Sequence, residues 1–430
     1  MSLSKQALAA LLLSVTGTSA APAPQASGFT SDAFKANPDV GPGGNTFEDS
    51  DHFRLYGTAK GGSDAVFGMM EAAYSCFVDD MEFTTSGLSI LDDADQNPTL
   101  WKENIYATDS LTGGAAGVLQ SDPTLGLSWL EVLPDYAADP SVLVHEYGHG
   151  LTYHSRTWVD QTATGAWWET IAQWFAETYI TSSLCQKARS NHNQEAGNSI
   201  IELNKVISDS YQVIVDGTAE SGNYYQAWPF FTYLTSNPDN YTGLGQDTVR
   251  QLFKQYKEGS NETPLHTLAR LSTDASVAEI VGSYWAHMAY VDIDDSAAQE
   301  AFFNQRKELN YENVESQGDG SYAVKSARQP QYMGANILPL TTSGAGTVEV
   351  TVTSSGTFTA TLAVYNSESG AVRYVSLKSG KVSADLTANE EASLVVANTP
   401  ESVIQYDGFN LSDDVTKGLD YTVKITGATI

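Results

Sequence analysis

Hydrophobic positions follow helical spacing through the middle of the chain and alternate along its last hundred residues. Residues 52–134 mix strand-like runs with one helix-like run, which predicts a helix on a small antiparallel sheet. Residues 139–294 repeat apolar side chains every three or four positions and hold most of the tryptophans. Residues 331–430 form short alternating runs punctuated by Gly, Asn and Ser, a pattern typical of an all-β sandwich. The pattern therefore predicts an α+β fold that ends in a β-sandwich.

The N-terminal segment has the pattern of a secretory leader. In residues 1–20, Lys5 precedes a short apolar stretch and small residues follow it, as in a signal peptide. Residues 21–50 are rich in Pro, Gly, Ser and Asn without a period, which predicts a flexible lead-in or pro-segment. We therefore predict a secreted, extracellular protein without a membrane span, and we place its two domains at 51–325 and 331–430.

The charge of the chain limits its partners. It carries 52 Asp and Glu against 22 Lys and Arg, which gives a net charge of −30 at pH 7. Nucleic acid is therefore excluded as a partner, because phosphate binding needs a basic surface. Hydrophobic residues make up 41% of the chain, which is too many for a disordered acidic protein.

Two cysteines and three glycosylation sequons fit an oxidising secretory compartment. Cys76 and Cys185 are too few for a disulfide scaffold or a Cys-ligated metal site. We predict one bridge between them, and the alternative is two separate buried thiols. Asn-x-Ser/Thr sequons at Asn240, Asn261 and Asn410 predict a glycoprotein from a eukaryotic source.

A His-Glu-x-x-His motif is the strongest chemical signal in the chain. Asp139 and the Pro that follows it predict the start of a helix that carries His145, Glu146 and His149. Histidines four residues apart project from one helix face, so both imidazoles reach one ion, and Glu146 points toward its open side. Catalytic zinc needs three protein ligands and a water, so a third ligand must come from elsewhere.

Two glutamates on the next predicted helix are candidates for the third ligand. Glu169 lies twenty positions after His149, and a turn between antiparallel helices would bring its carboxylate to the ion. Glu177 lies two turns further along the same helix and is the alternative. The sequence pattern alone does not decide between Glu169 and Glu177 as the third ligand.

The pattern from residue 139 to 177 resembles the gluzincin branch of the zinc metallopeptidases, the thermolysin-like enzymes. The string HEYGHGL is also similar to that of the secreted fungalysins. The resemblance implies a zincin-like core with Zn²⁺ held by the two histidines and Glu169. Gln173 departs from the family, because it stands where these enzymes have an acidic residue that orients the first histidine. The whole chain most resembles uncharacterised secreted fungal and bacterial proteins with such a core and a β tail.

The resemblance also implies roles for residues outside the motif. Glu146 would be the general base, and a Tyr or His would stabilise the oxyanion, with Tyr225 and His287 as the candidates. Packing in an aromatic helix core is the alternative role for both. Residues 113–117, before the metal helix, predict either a sheet edge on which an extended peptide docks or an ordinary hairpin turn.

Two hypotheses of function follow. The first is a secreted zinc metallopeptidase that hydrolyses extracellular proteins or glycoproteins, with the β-sandwich as an accessory domain that binds substrate, glycan or cell wall. The second is a catalytically inactive zincin-like protein that serves binding or adhesion at the cell surface or in the extracellular matrix.

Overall fold

The computed structural model describes residues 34–155, 164–219, 221–378 and 380–430, so the predicted signal peptide lies outside the described residues. The strands are β1 Phe34–Lys35, β2 Phe47–Asp49, β3 Phe53–Tyr56, β4 Leu100–Trp101, β5 Glu103–Ala107, β6 Gly117–Asp122, β7 Leu127–Val132, β8 Val314–Gly318, β9 Ser321–Val324, β10 Ala335–Leu340, β11 Gly346–Ser354, β12 Thr359–Asn366, β13 Val372–Ser376, β14 Lys381–Leu386, β15 Glu390–Ala397 and β16 Tyr421–Thr426. The α-helices are α1 Ser63–Tyr74, α2 Pro140–His154, α3 Ala166–Thr181, α4 Gln186–Asn191, α5 Pro229–Ser236, α6 Thr248–Gln255, α7 Pro264–Leu271, α8 Val277–Met288, α9 Ser296–Gln305 and α10 Asp413–Thr416.

Contacts between residues divide the chain into two compact units, each made of two separate stretches of the sequence. The first unit contains the described residues up to Ile200 together with Gln246–Pro264, and the second contains Ile201–Gly245 and Leu265–Ile430. Both units contain helices and strands, which confirms the α+β class. The division does not coincide with the predicted boundary between residues 325 and 331. Among the described residues, no helix has both the length and the apolar character needed to cross a membrane.

The sheet of the first unit is mixed, not antiparallel as predicted. Its strand order is β2-β3-β5-β7-β6, in which β3, β5 and β7 run parallel and the two outer strands run antiparallel to their neighbours. Helix α1 connects β3 to the region of β5 and returns the chain to the same end of the sheet, which makes these strands parallel. Strand β6 forms one edge.

Residues 34–50 belong to the fold, although the sequence predicted a flexible lead-in there. Strand β1 pairs in parallel with β4, and β2 pairs with β3. The buried ring of Phe34 meets His52 edge to face, with 4.7 Å between the ring centroids, and Tyr74 at 5.9 Å. Burial of this aromatic side chain anchors the start of the segment 34–50.

Helices α2 and α3 pack closely because small residues face each other. Asp139 caps α2 by accepting a hydrogen bond of 2.9 Å from the Ser141 backbone N–H, and Pro140 occupies the first turn, as predicted. A methyl group at Gly148 would lie 3.2 Å from the Cα atom of Ala172, so glycine permits the approach of the two helices. The contact holds the faces of α2 and α3 against each other.

The predicted disulfide between Cys76 and Cys185 is confirmed. It joins the segment after α1 to the segment after α3 across 109 residues. In the chain-entropy model, a loop of this length stabilises a fold by about 4 to 5 kcal/mol. The bridge therefore anchors the C-terminal end of α3 within the first unit.

The second unit contains the predicted β-sandwich. Its two sheets have the strand orders β10-β15-β12-β13 and β14-β11-β16-β9-β8, and side chains from both fill one core. Strand β8 pairs with β9, and β9 pairs with β16, although the sequence predicted a domain boundary between residues 325 and 331. The buried Tyr322 of β9 is part of the common core, so the sandwich begins before residue 331.

Helix α8 covers the other face of the first of these sheets. It packs against β12 and β15, and a methyl group at Gly282 would collide with the Thr359 hydroxyl group. After the helix, Tyr290 stacks on Tyr365 with 5.2 Å between the ring centroids. The sandwich and the helices before it therefore share buried surface, which is why the contacts place them in one unit.

A buried carboxyl group lies between the sheet and α2 in the first unit. Glu103 is 3% exposed and its Oε1 accepts a hydrogen bond of 2.9 Å from Ser128 Oγ. The same hydroxyl oxygen lies 3.0 Å from Nε2 of the buried His154. Burial raises the pKa of Glu103 to about 8, although hydrogen bonds from Ser86 and Ser128 act in the opposite direction.

We expect Glu103 to make the protein less stable as the pH rises from about 4.5 to about 8. In that window the carboxyl group stays protonated when folded and ionises when unfolded, so unfolding releases a proton and becomes easier with rising pH. The loss should be on the order of a few kcal/mol, and Glu103→Gln should remove it. Urea unfolding of chelator-treated protein at several pH values checks this. The exposed Glu195 provides the control Glu195→Gln, and equal pH dependence of wild type and Glu103→Gln would contradict the expectation.

Candidate metal centre

Three predicted ligands meet where α2 and α3 pack together. Glu169 Oε2 lies 3.2 Å from His145 Nε2 and 3.3 Å from His149 Nε2. One ligand atom from each residue lies within 4.8 Å of the others. The histidines are 5% and 8% exposed, so the cluster is shielded from solvent on most sides.

Two of the three ligand-to-ligand distances in this cluster, those that involve Glu169, fit a tetrahedral metal ion. Zinc ligands at about 2.0 to 2.1 Å from the ion lie about 3.3 Å from one another in a tetrahedron. The two distances between Glu169 and the histidines have this value. Two imidazoles and one carboxylate also form a donor set that zinc accepts, with a fourth position left for water.

The charges of the cluster are strongly coupled. Burial acts to raise the pKa of Glu169, but His149 and His145 outweigh it and hold this pKa well below its usual range. Burial acts to lower the pKa of His145, and the neighbouring Glu169 and Glu146 reverse the effect and raise it. A metal ion binds neutral imidazole, so it would replace a proton that the carboxylates otherwise stabilise here.

Glu146 is a residue of α2, and its side chain lies against the edge strand β6. It is 4% exposed, and burial raises its pKa while His145 and His149 partly offset that effect. The nearby backbone N–H of Leu119 also acts to lower this pKa. A methyl group at Gly117 would lie 2.8 Å from Glu146 Cγ, so glycine lets the strand approach the carboxylate. The sequence did not single out Leu119, because only the folded strand brings its N–H here.

The outer contacts of the two histidines differ. Gln173 lies one turn after Glu169 on α3, and its Oε1 is 2.8 Å from His145 Nδ1. In the part of the chain that the structure describes, the buried His149 Nδ1 has no hydrogen-bond partner. The ring of Trp168 meets His149 edge to face with 5.8 Å between centroids. Trp168 was also missed by sequence reasoning, although its position beside Glu169 was a signal.

Glu177 lies away from this cluster. Its side chain is buried, and its Oε2 accepts a hydrogen bond of 2.9 Å from the Ile200 backbone N–H. The metal-type cluster found among the described residues contains Glu169 instead. The geometry therefore favours Glu169 of the two glutamates that the sequence left open.

Tyr225 and His287 belong to the second unit and make contacts there. The His287 side chain is buried, with Nδ1 2.6 Å from the Asp292 carbonyl oxygen and Nε2 3.3 Å from Asp239 Oδ2. Tyr225 packs on Tyr224 with 4.4 Å between the ring centroids. Neither residue is part of the metal-type cluster, so their assignment to the oxyanion stays a prediction.

Residues 113–117, which the sequence singled out, lead into the edge strand β6. Residues Thr112–Gly114 form a short turn in which Gly113 and Gly114 have positive φ, and β6 begins at Gly117. Among the described residues, β7 is the strand that pairs with β6. The segment is thus both a turn and the entry to an edge strand, and peptide docking at that edge stays a prediction.

Comparison with known proteins places the chain in a family without assigning an activity. No curated protein matches the sequence. A family model described as "Family of unknown function (DUF6055)" matches residues 61–430, which is most of the chain. The chain therefore belongs to this family of unknown function, DUF6055.

Proposed function

We propose that this protein is a secreted zinc-dependent metallopeptidase that hydrolyses peptide bonds of extracellular proteins or glycoproteins. The observation that carries the proposal is the cluster of His145, His149 and Glu169, whose ligand atoms lie within 4.8 Å of one another, with Glu169 at the tetrahedral spacing from both histidines. The Glu that follows the first histidine lies beside them, as peptide hydrolysis requires. Secretion rests on the leader pattern of residues 1–20.

The chemistry divides between the ion and the chain. Bound zinc supplies a Lewis acid that polarises the scissile carbonyl and lowers the pKa of a water molecule. The Glu146 carboxylate takes a proton from the attacking water and returns it to the nitrogen of the leaving amine as the C–N bond breaks. Burial raises the pKa of Glu146, which helps it hold the proton between these two transfers.

The edge strand β6 offers a place for an extended substrate. Among the described residues its outer edge is unpaired, and Gly117 at its start permits close approach to Glu146. An added peptide strand would pair through backbone hydrogen bonds and bring its scissile bond toward the carboxylate. We assign the sandwich the accessory role of binding substrate, glycan or cell wall.

A second candidate function is a zincin-like binding or adhesion protein without turnover. The observation that favours it is the weak support of the ligands, since Gln173 is neutral and His149 Nδ1 has no acceptor among the described residues. Poorly supported ligands lower metal affinity and activity.

A substrate screen separates the two functions. The purified protein is incubated with quenched-fluorescence peptide libraries and with glycoproteins, before and after chelation and after zinc is restored. The peptidase proposal expects cleavage that chelation abolishes and zinc recovers. Absence of cleavage across the screen by zinc-loaded protein would favour the binding protein, and cleavage that survives chelation would contradict the proposal of a zinc-dependent peptidase.

A further inference from the structure

An aromatic cluster of Phe409, Tyr224 and Tyr225 lies at the surface of the second unit. Phe409 is one of three large apolar side chains that are exposed among the described residues, at 38%. Its ring meets Tyr224 edge to face with 5.7 Å between centroids, and Tyr224 packs on Tyr225 at 4.4 Å. The exposed ring of Phe47, by contrast, is covered by the Arg54 guanidinium group, 3.7 Å from its centroid. Exposed aromatic surface of this kind usually marks a contact site.

The turn that carries this exposed ring is held by backbone contacts. Residues 407–410 are closed by a hydrogen bond of 3.1 Å between the last N–H and the first carbonyl oxygen. The Gly217 N–H donates a hydrogen bond of 2.8 Å to the Gly408 carbonyl oxygen. The neighbouring Asp216 carbonyl oxygen accepts one of 3.2 Å from the Tyr224 N–H. The backbone therefore fixes the turn beside Tyr224.

A glycosylation sequon begins in the same turn. It consists of Asn410, Leu411 and Ser412, and Asn410 and Ser412 are both exposed. A glycan on the Asn410 side chain therefore starts one residue from the ring of Phe409. Sugar rings have a face of C–H groups, and packing that face on an aromatic ring removes apolar surface from water. The net charge of −30 disfavours an anionic occupant of this surface but not a neutral glycan.

The other two sequons lack an exposed ring beside them. Tyr241 follows Asn240, but its hydroxyl group donates a hydrogen bond of 2.8 Å to Ser283 Oγ, which holds the ring against α8. Asn261 has a serine and a glutamate as its neighbours in the chain. Among the three sequons, Asn410 is therefore the one that adjoins an exposed aromatic ring.

We propose that Asn410 carries an N-linked glycan whose first sugar rings pack on Phe409 and Tyr224 and cover the aromatic cluster. The donor is a lipid-linked oligosaccharide. The amide nitrogen of Asn410 bonds to C1 of its first sugar and loses a proton, while the bond from C1 to the lipid pyrophosphate breaks and the lipid pyrophosphate leaves. The inference rests on the secretion part of the proposed function and is independent of the metal centre. The glycan stabilises the second unit, because unfolding separates the sugar from the rings.

Mass spectrometry and a double-mutant cycle test the proposal. The full chain with its own leader is produced in a eukaryotic host, and peptide mapping of the secreted protein gives the occupancy of Asn410. Melting temperatures are measured with chelator present for wild type, Phe409→Ala, Asn410→Gln and the double variant. Where Asn410 is intact, only the fraction glycosylated there is used. Phe303→Ala, alone and with Asn410→Gln, is the matched control, because Phe303 packs on Tyr365 in the same unit.

We expect a glycan on Asn410, and a fall in melting temperature for Phe409→Ala that is larger by about 2 to 4 °C with the glycan than in the Asn410→Gln background. The fall for Phe303→Ala should be the same in both backgrounds. Unmodified Asn410 in the secreted protein, or equal falls for Phe409→Ala in both backgrounds, would overturn the inference and leave the peptidase proposal standing. Failure of residues 1–20 to direct secretion would remove the inference together with the secreted location of the proposed function.

Discussion

Replacement of Glu146 by glutamine is expected to lower the rate of peptide hydrolysis about 10²- to 10⁴-fold while zinc stays bound. The amide has nearly the same volume as the carboxylate and keeps one oxygen that can accept a hydrogen bond. It cannot take a proton from water and return it to the amine, so the chemical step is lost. Values of kcat/KM for a substrate found by screening, with zinc content and melting temperature, check this.

Glu131→Gln provides the matched control for that experiment. Glu131 lies on β7, beside the edge strand, and accepts a hydrogen bond of 2.9 Å from Trp129 Nε1 that an amide oxygen would keep. Its substitution should leave the rate within a few-fold of wild type, because the residue is not part of the metal cluster. Wild-type activity in the Glu146→Gln variant would show that Glu146 is not the general base.

Removal of the chain after residue 326 is expected to unfold the rest of the second unit. The truncation deletes β16, the partner of β9, and it deletes β12 and β15, against which α8 packs. Apolar surface on α8 would then face water, and helices of this length are marginal without packing. Hydrogen exchange should show α8 losing its protection to the level of unfolded chain.

A pair of glycine variants tests the same packing in the full chain. Gly282→Ala places a methyl group against Thr359 and should destabilise the second unit by about 1 to 3 kcal/mol. Gly346→Ala meets open space and should have little effect. Protection of α8 that survives truncation, together with equal stability of the two variants, would restore the predicted boundary near residue 325.

The sequence could predict those parts of the fold that local pattern determines. The cap at Asp139 and the His-Glu-x-x-His spacing are local, so α2 formed as expected. The alternation of apolar and polar side chains predicted the sandwich strands after residue 331, because one face of each strand is buried. Strand β8 is mostly exposed and polar, with Gly318 at its end, so its pattern resembles that of a linker. Its partner is the adjacent β9, which joins the sandwich only by pairing with the distant strand β16.

The site shows the same division between local and distant signals. The sequence could predict Glu169 as a ligand because two consecutive packed helices bring their facing side chains together. Glu177 instead accepts a hydrogen bond from the Ile200 backbone N–H. The contact of Leu119 with Glu146 comes from the packing of an edge strand on α2, which no local pattern records. Tyr225 and His287 were chosen by residue type alone, which says nothing about their place in the fold.

Zinc content of two matched glutamate variants tests the central claim most directly. Glu169→Gln removes a charged ligand from the cluster, whereas Glu177→Gln makes the same change on the same helix and keeps an oxygen for the Ile200 N–H. After dialysis against zinc and removal of the free ion, we expect about one zinc per chain in wild type and in Glu177→Gln. Glu169→Gln should hold little or none. Zinc retained by Glu169→Gln, or lost from a folded Glu177→Gln, would contradict the proposed metal centre.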